Sequence, residues 1–177
     1  MIVIGIDLAA KEYNPTGLCA KQDSKIFFKT VYTNEEIISF IKNYNPHVIA
    51  IDSPIMKGEP RVREADRLMY KYGALPPTMQ SMKLLTIRGS KLAEILSKKY
   101  EVIEVYPTAT AKILRIYNKN YRKTASLLNI NIKNKHELDA YLCCITAEYY
   151  LRGETIAMGD KEGRIIIPYE KVDPHSI

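Results

Sequence analysis

The sequence is poor in the residues that mark disulfide-bonded, zinc-binding or membrane-spanning proteins. It contains three cysteines, an odd number, and they form no CxxC motif: Cys19, Cys143 and Cys144. A zinc site or a disulfide framework is therefore not expected, and we predict free, buried thiols. No apolar run approaches the ~20 residues that a membrane helix requires. The apolar start of the chain lacks a basic leader and is soon interrupted by Asp7. This indicates a first strand rather than a signal peptide, and predicts a cytoplasmic protein with no membrane partner.

Glycine is scarce as well. The eight glycines are scattered and provide no glycine-rich loop of the kind that wraps phosphates in ATP-dependent phosphotransferases. The hydrophobic share of 46% and the mean hydropathy of -0.20 are ordinary for a soluble globular protein. At 177 residues the chain fits one domain with a sizeable core, and we predict a single domain over 1–177.

Acidic residues are missing from one long segment. Between Glu104 and Glu137 there is no Asp or Glu, and the seven basic residues found there account for the whole net charge of +6. They are Lys112, Arg115, Lys119, Arg122, Lys123, Lys133 and Lys135. With tyrosines interleaved, such a surface suits phosphates and stacked bases, and Lys119, Arg122 and Lys123 are candidate substrate-binding residues. A solvated helical face is the alternative, and the sequence does not decide between the two.

The order of apolar runs and turn signals predicts an α/β fold. Three strands open the chain, a helix that ends before Pro46 follows, and a fourth short strand comes next. After it we predict a helical insertion at about 57–99, a fifth strand at 102–106, helices at about 108–117, 120–129 and 136–152, and a terminal hairpin. The expected architecture is a mixed five-stranded sheet flanked by helices, with the helical insertion after the fourth strand and a C-terminal hairpin.

Two strands of the predicted sheet end on an aspartate. Ile4-Gly5-Ile6-Asp7 closes the first strand and Ile49-Ala50-Ile51-Asp52 closes the fourth. A strand reached through a helix is usually parallel to an earlier one, so Asp7 and Asp52 emerge side by side if these strands are neighbours. Carboxylates in such a position can bind a hard cation such as Mg²⁺. For either aspartate alone, a cap or a hydrogen-bonded polar group at a strand end is the alternative.

The last predicted helix adds a third aspartate. Its core-facing stripe consists of Leu138, Tyr141, Leu142, Ile145 and Tyr149. Asp139 lies at the border of that stripe by the 100° step of an α-helix. His136 lies one turn earlier on the side of Asp139, whereas Glu137 points away. Asp7, Asp52 and Asp139 are therefore candidate metal ligands and catalytic residues, with His136 as a further catalytic candidate.

Other charged residues stand close to these positions in the sequence. Glu104, within the fifth strand, is a candidate fourth acid or a partner of the first three if its face of the sheet turns toward Asp52. Arg61, Arg63 and Arg67 open the insertion, where they either clamp phosphates or form ion pairs within their helix. Lys11, soon after Asp7, is a weaker candidate for phosphate binding.

The order of elements and acids resembles the ribonuclease H-like fold, and the last helix is similar to that of RuvC-type junction resolvases, which place an acid or a histidine three residues before the final aspartate. More closely, the chain resembles the domain-of-unknown-function family 429, a family of predicted nucleases. The motifs that carry this resemblance are Gly5-Ile6-Asp7-Leu8-Ala9, Thr16-Gly17, Ile51-Asp52-Ser53-Pro54, Arg63-x-x-Asp66-Arg67, Glu104-Val105-Tyr106-Pro107 and His136-x-x-Asp139-Ala140. They extend over most of the chain, from Ile2 to about Pro168.

This resemblance implies a metal-dependent nuclease. Asp7, Asp52 and Asp139 would bind one or two Mg²⁺ or Mn²⁺ ions, His136 would serve as a ligand or proton carrier, and the substrate would be DNA or RNA. The chain departs from many members of the fold in having Asp52, rather than a longer glutamate, as the middle acid. A non-catalytic nucleic-acid-binding module of the same fold is the alternative, and an actin-like phosphotransferase is disfavoured by the missing glycine-rich loop. The sequence leaves open a monomer or a homodimer.

Overall fold

The computed structural model describes residues 1–169 and places seven strands in one sheet, in the order β3-β2-β1-β4-β5-β7-β6. The strands are β1 (Ile2–Asp7), β2 (Thr16–Gln22), β3 (Lys25–Val31), β4 (Val48–Asp52), β5 (Glu101–Val105), β6 (Thr155–Asp160) and β7 (Gly163–Pro168). The five predicted strands and their mixed arrangement are confirmed. The C-terminal hairpin, β6 and β7, extends this sheet because β7 pairs in parallel with β5. The predicted domain range 1–177 ends beyond the described residues.

Six helices connect the strands within residues 1–169. They are α1 (Asn34–Tyr44), α2 (Glu64–Met69), α3 (Gln80–Leu96), α4 (Pro107–Ile113), α5 (Tyr121–Leu127) and α6 (Lys135–Leu151), with a 3-10 turn at Tyr70–Tyr72. The predicted insertion after the fourth strand is therefore present and contains α2, the 3-10 turn and α3. No helix in the described part of the chain is long and apolar enough to cross a membrane.

The two faces of the sheet carry different helices. Side chains alternate along a strand, so Ile4 and Ile6 of β1 pack with α1 and α3 on one face. Val3, on the opposite face, packs with α6. β4 follows the same alternation, with Ile49 and Ile51 toward α1 and α3 and its other residues toward α6. Asp7 and Asp52 each fall on the α6 face by this alternation.

Two glycines let α6 lie close against β1 and β2. A Cβ atom at Gly5 would stand 2.0 Å from the carbonyl oxygen of Ala140, and one at Gly17 would stand 2.1 Å from the carbonyl oxygen of His136. A larger residue at either position would push the helix outward. The depth of α6 brings its first turns beside the end of β1. The three cysteines are free and buried, as predicted, and Cys143 and Cys144 lie in this same interface.

Candidate active-site cleft

Three aspartates from three elements line one cleft. β1 and β4 pair in parallel with Asp7 directly opposite Asp52, and α6 contributes Asp139 from the same face of the sheet. The cleft has a volume of about 460 Å³. It is lined by Asp7, Leu8, Ala9, Ala10, Asn14, Pro15, Asp52, Thr108, Lys135, His136 and Asp139. The convergence expected from the strand ends and from the helix phase is therefore present. We call Asp7, Asp52 and Asp139 the cleft carboxylates.

His136 is bound to one of the cleft carboxylates. Its Nδ1 lies 2.7 Å from Oδ2 of Asp7, and its side chain is 42% exposed while that of Asp7 is 15% exposed. The hydrogen bond to Asp7 raises the pKa of His136, with burial opposing and the charges of Asp7 and Asp139 assisting. Among residues 1–169 we find no hydrogen bond to Nε2 of His136, so this second ring nitrogen remains available to a substrate or to water.

The charge of the cleft carboxylates is poorly compensated. Burial raises the pKa of Asp52 well above its usual value, and the charges of Asp7 and Asp139 raise it further. Burial and the charge of Asp7 likewise raise the pKa of Asp139, although Lys135 opposes the shift. Lys135, at the start of α6, forms an ion pair with Oδ2 of Asp139. The cleft thus places three carboxylates around one ammonium group and one histidine.

The donor set fits a hard divalent cation, but the side chains are not arranged around one. Carboxylate oxygens are the ligands that Mg²⁺ and Mn²⁺ prefer. Asp52 makes no side-chain hydrogen bond within residues 1–169, so its oxygens are not committed to another group. Nevertheless, no group of three His, Cys, Asp or Glu side chains in the described chain is arranged to hold a metal ion. Two of the three aspartates are instead paired with His136 and Lys135.

Glu104 does not join the cleft carboxylates. It is in register with Ile51, whose side chain faces α1 and α3, so Glu104 projects to the opposite face of the sheet from Asp52. There it accepts hydrogen bonds from both terminal nitrogens of Arg63, at 2.6 and 2.8 Å, and from the backbone N–H of Ile55 at 2.8 Å. The expectation of a fourth acid in the cleft is corrected, because alternation along β5 turns Glu104 away.

Arg63 is a structural residue rather than a phosphate clamp. It is 2% exposed and also binds Asp66, through Nε at 3.0 Å and a terminal nitrogen at 2.7 Å. These bonds raise the pKa of Arg63 even though burial opposes the shift. The substrate-binding prediction for Arg63 is wrong, because every side of the guanidinium is enclosed by protein. We call Arg63, Asp66 and Glu104 the buried triad.

The other candidate phosphate-binding residues lie outside the cleft lining, and of these Lys11 and Arg67 are exposed while Arg61 is half-buried. Arg67 is close to Glu64, at 3.6 Å, and Arg61 donates to Glu162 at 2.9 Å. Lys11 lies over the ring of Tyr13, 5.4 Å from its centroid. Of the two alternatives given above for the insertion arginines, an ion pair within the helix therefore describes Arg67, whereas Arg61 pairs with the C-terminal hairpin.

The basic segment forms an exposed surface around α5. Lys119, Arg122 and Lys123 are exposed, and α5 begins at the N-cap Asn120, whose side chain accepts the backbone N–H of Arg122. Arg122 stacks on Tyr121, with 5.9 Å between the guanidinium carbon and the ring centroid. These residues remain free to contact a polyanion, although they do not line the cleft.

The sequence pattern does not single out two residues that are important to the cleft. Lys135 stands out only as part of the basic segment, although its spacing of four residues from Asp139 is typical of an ion pair on one helix face. Arg88, on α3, is 8% exposed and donates to the backbone oxygens of Ala9, at 2.7 Å, and Tyr32, at 2.8 Å. It thereby holds the cleft-lining loop after β1. Nothing in the local sequence around Arg88 signals this long-range contact.

Comparison with known proteins gives a structural similarity only. Neither a known family model nor a curated protein matches the chain. Among solved structures, the chain is similar to T. thermophilus RuvC in complex with a Holliday junction substrate, with a TM-score of 0.53 and 15% sequence identity. The similarity covers 86% of this chain and 96% of that chain. It confirms the predicted ribonuclease H-like fold, and at this identity it shows the fold alone.

Proposed function

We propose that this protein is a metal-dependent nuclease that hydrolyses phosphodiester bonds of nucleic acid at the cleft of Asp7, Asp52 and Asp139. The observation that carries the proposal is the convergence of these three carboxylates, from β1, β4 and α6, on one open cleft. Structural acids are normally hydrogen-bonded or paired in full, whereas Asp52 has no such partner within residues 1–169. Burial and the neighbouring charges also raise the pKa of Asp52 and that of Asp139. Acids with shifted pKa values in a cleft are typical of functional sites.

The cleft carboxylates would hold Mg²⁺ or Mn²⁺. When bound, the ion would supply Lewis acidity toward the phosphodiester and lower the pKa of a nearby water. Asp7 would also orient His136, because its Oδ2 fixes Nδ1 of the imidazole. His136 would then exchange a proton at Nε2, and the hydrogen bond to Asp7 favours the protonated ring that can donate it.

Nucleic acid is the proposed substrate. RuvC, to which the chain is structurally similar, is bound to a Holliday junction substrate. In this chain, the exposed Lys119, Arg122 and Lys123 offer positive charge beside an aromatic ring, a combination that suits phosphates and unstacked bases. Membership of the domain-of-unknown-function family 429 belongs to the same proposal and rests on the motifs given above.

The test is Mn²⁺-dependent cleavage of labelled linear and branched DNA and RNA. We expect cleavage by the wild type and its loss in Asp7→Asn, Asp52→Asn and Asp139→Asn, with binding of the same substrates unchanged or tighter because charge repulsion is removed. Asp160→Asn is the matched control, since it makes the same change of side chain at an exposed aspartate that does not line the cleft. Cleavage that survives all three aspartate substitutions would refute the proposal.

A non-catalytic nucleic-acid-binding module is the second candidate. The observation that favours it is that two of the three cleft carboxylates already have partners, Asp7 in His136 and Asp139 in Lys135. This alternative predicts no cleavage by the wild type under any divalent metal. It also predicts that affinity is lost on substitution of Lys119, Arg122 and Lys123, and is insensitive to the cleft carboxylates.

A further inference from the structure

We propose that Lys135 is a built-in counterion of the cleft, whose ammonium group pairs with Asp139 and offsets part of the carboxylate charge in the metal-free protein, and must leave when a metal ion binds. The inference rests on the proposed function, because it concerns the same metal centre. It adds a residue that competes with the metal, and so sets how tightly the centre binds it.

The position of Lys135 is fixed by α6. It is the first residue of the helix, one turn before Asp139, and its ammonium group forms an ion pair with Oδ2 of Asp139. The charges of Asp7 and Asp52 add to that of Asp139 in raising the pKa of Lys135, against the effect of burial. Of the cleft-lining residues in the described range 1–169, only Lys135 and His136 are basic, and His136 is committed to Asp7 through Nδ1.

The lysine and a metal ion need the same oxygen atoms. A divalent ion held by the cleft carboxylates would take an oxygen of Asp139 as a ligand and would repel a nearby ammonium group. Lys135 can withdraw because its side chain is 61% exposed, while that of Asp139 is 13% exposed. A flexible four-carbon stem carries the charge into water without moving the helix. The exchange therefore replaces one cation by another at nearly constant protein structure.

This arrangement has a measurable consequence for affinity. Each binding event must break the ion pair between Lys135 and Asp139 before the carboxylate is free. An ion pair between one exposed and one largely buried partner opposes metal binding by about tenfold in affinity. Removing the ammonium group should therefore tighten metal binding, whereas a purely structural role for Lys135 at the start of α6 would leave affinity unchanged or weaken it through loss of helix order.

The variants are chosen to separate charge in the cleft from other effects. Lys135→Met keeps the length of the side chain, removes the ammonium group, and also removes a positive charge from a helix N-terminus, where it is unfavourable. Lys135→Arg keeps the charge and should behave as the wild type within about threefold. Lys133→Met makes the same change in net charge two residues away, on an exposed side chain that does not line the cleft.

Titration calorimetry with Mn²⁺ alone, after removal of divalent ions with EDTA and dialysis, tests the inference. We expect Lys135→Met to bind Mn²⁺ about tenfold more tightly than the wild type, and Lys135→Arg and Lys133→Met to bind as the wild type does. Equal affinity for Lys135→Met and the wild type, or equal tightening by Lys133→Met, would overturn the inference and leave the proposed metal centre standing. Absence of Mn²⁺ binding in both the wild type and Lys135→Met would overturn the metal centre, and this inference with it.

Discussion

The cleft carboxylates and the buried triad lie at the same edge of one sheet, on opposite faces. They differ in how fully their carboxylates are paired with positively charged groups. In the buried triad, Arg63 donates four side-chain hydrogen bonds to Asp66 and Glu104. In the cleft, Asp139 pairs with an exposed lysine and Asp7 with a histidine, whereas Asp52 makes no side-chain hydrogen bond within residues 1–169. The first arrangement is complete without any added group. The second is incomplete, and under the proposed function an external cation would complete it.

The largest expected difference between the two clusters is the effect of a substitution on catalytic activity. We expect Asp52→Asn to lower Mn²⁺-dependent cleavage by about 10³-fold or more, equivalent to ~4 kcal/mol in the activation free energy, because a metal ligand is lost. Glu104→Gln should keep the rate per folded molecule within about threefold, since Glu104 faces the other side of the sheet. Single-turnover cleavage assays, normalised to folded protein by circular dichroism, provide the measurement. A loss of similar size in both variants would mean that the two clusters form one site.

Stability should depend on the buried triad, whereas activity should depend on the cleft carboxylates. Replacing Arg63 by Met leaves Asp66 and Glu104 buried without their partner, which should lower the free energy of unfolding by about 3–5 kcal/mol. Urea denaturation of the wild type and of Arg63→Met gives this value directly.

Arg67→Met is the matched control for that measurement. Arg67 lies four residues later and is exposed, with a loose pair to Glu64, so its loss should change stability by less than about 1 kcal/mol. If both variants lost the same stability, the buried triad would have no special structural role.

The two clusters should also make separate contributions to the pH dependence of the free energy of unfolding. Burial raises the pKa of Glu104 to about 7 against the hydrogen bonds from Arg63. Between about pH 4.5 and pH 7, Glu104 therefore carries a proton in the folded protein that it has lost in the unfolded chain. Its contribution to the free energy of unfolding is fully present below pH 4.5 and is lost as the pH rises through 7. The expected loss is on the order of 3 kcal/mol, measured by urea denaturation at pH 5, 6, 7 and 8.

Two controls show how much of this fall in the free energy of unfolding with pH comes from the buried triad and how much from the cleft. Glu104→Gln should remove part of the slope, since an amide does not titrate. The raised pKa values of Asp52 and Asp139 add a contribution of the same sign in the metal-free protein. Saturating Mn²⁺ should remove that second contribution and leave the share of Glu104. A slope that Mn²⁺ abolishes altogether would place the titrating groups in the cleft alone.

The sequence predicted the cleft better than the buried triad for a physical reason. Asp7 and Asp52 each end a short apolar strand, and the two strands are predicted to lie in parallel. The helical period then places Asp139 beside them. The strand pattern and the helical period are both read from residues close together in the sequence. The pair of Arg63 and Glu104 joins residues 41 positions apart, and its burial depends on how α2 packs against the sheet. Likewise, the hairpin was visible in its turn residues, but its pairing with β5 depends on long-range packing of Ile165 and Ile167 against α2.

The central claim is that Asp7, Asp52 and Asp139 form one metal centre. The most direct measurement is anomalous diffraction from crystals grown or soaked with Mn²⁺. We predict an anomalous peak in the cleft with oxygens of all three aspartates at about 2.1 Å, and the side chain of Lys135 withdrawn toward solvent. A cleft without an anomalous peak at saturating Mn²⁺, or a peak that the three aspartates do not share, would contradict the claim.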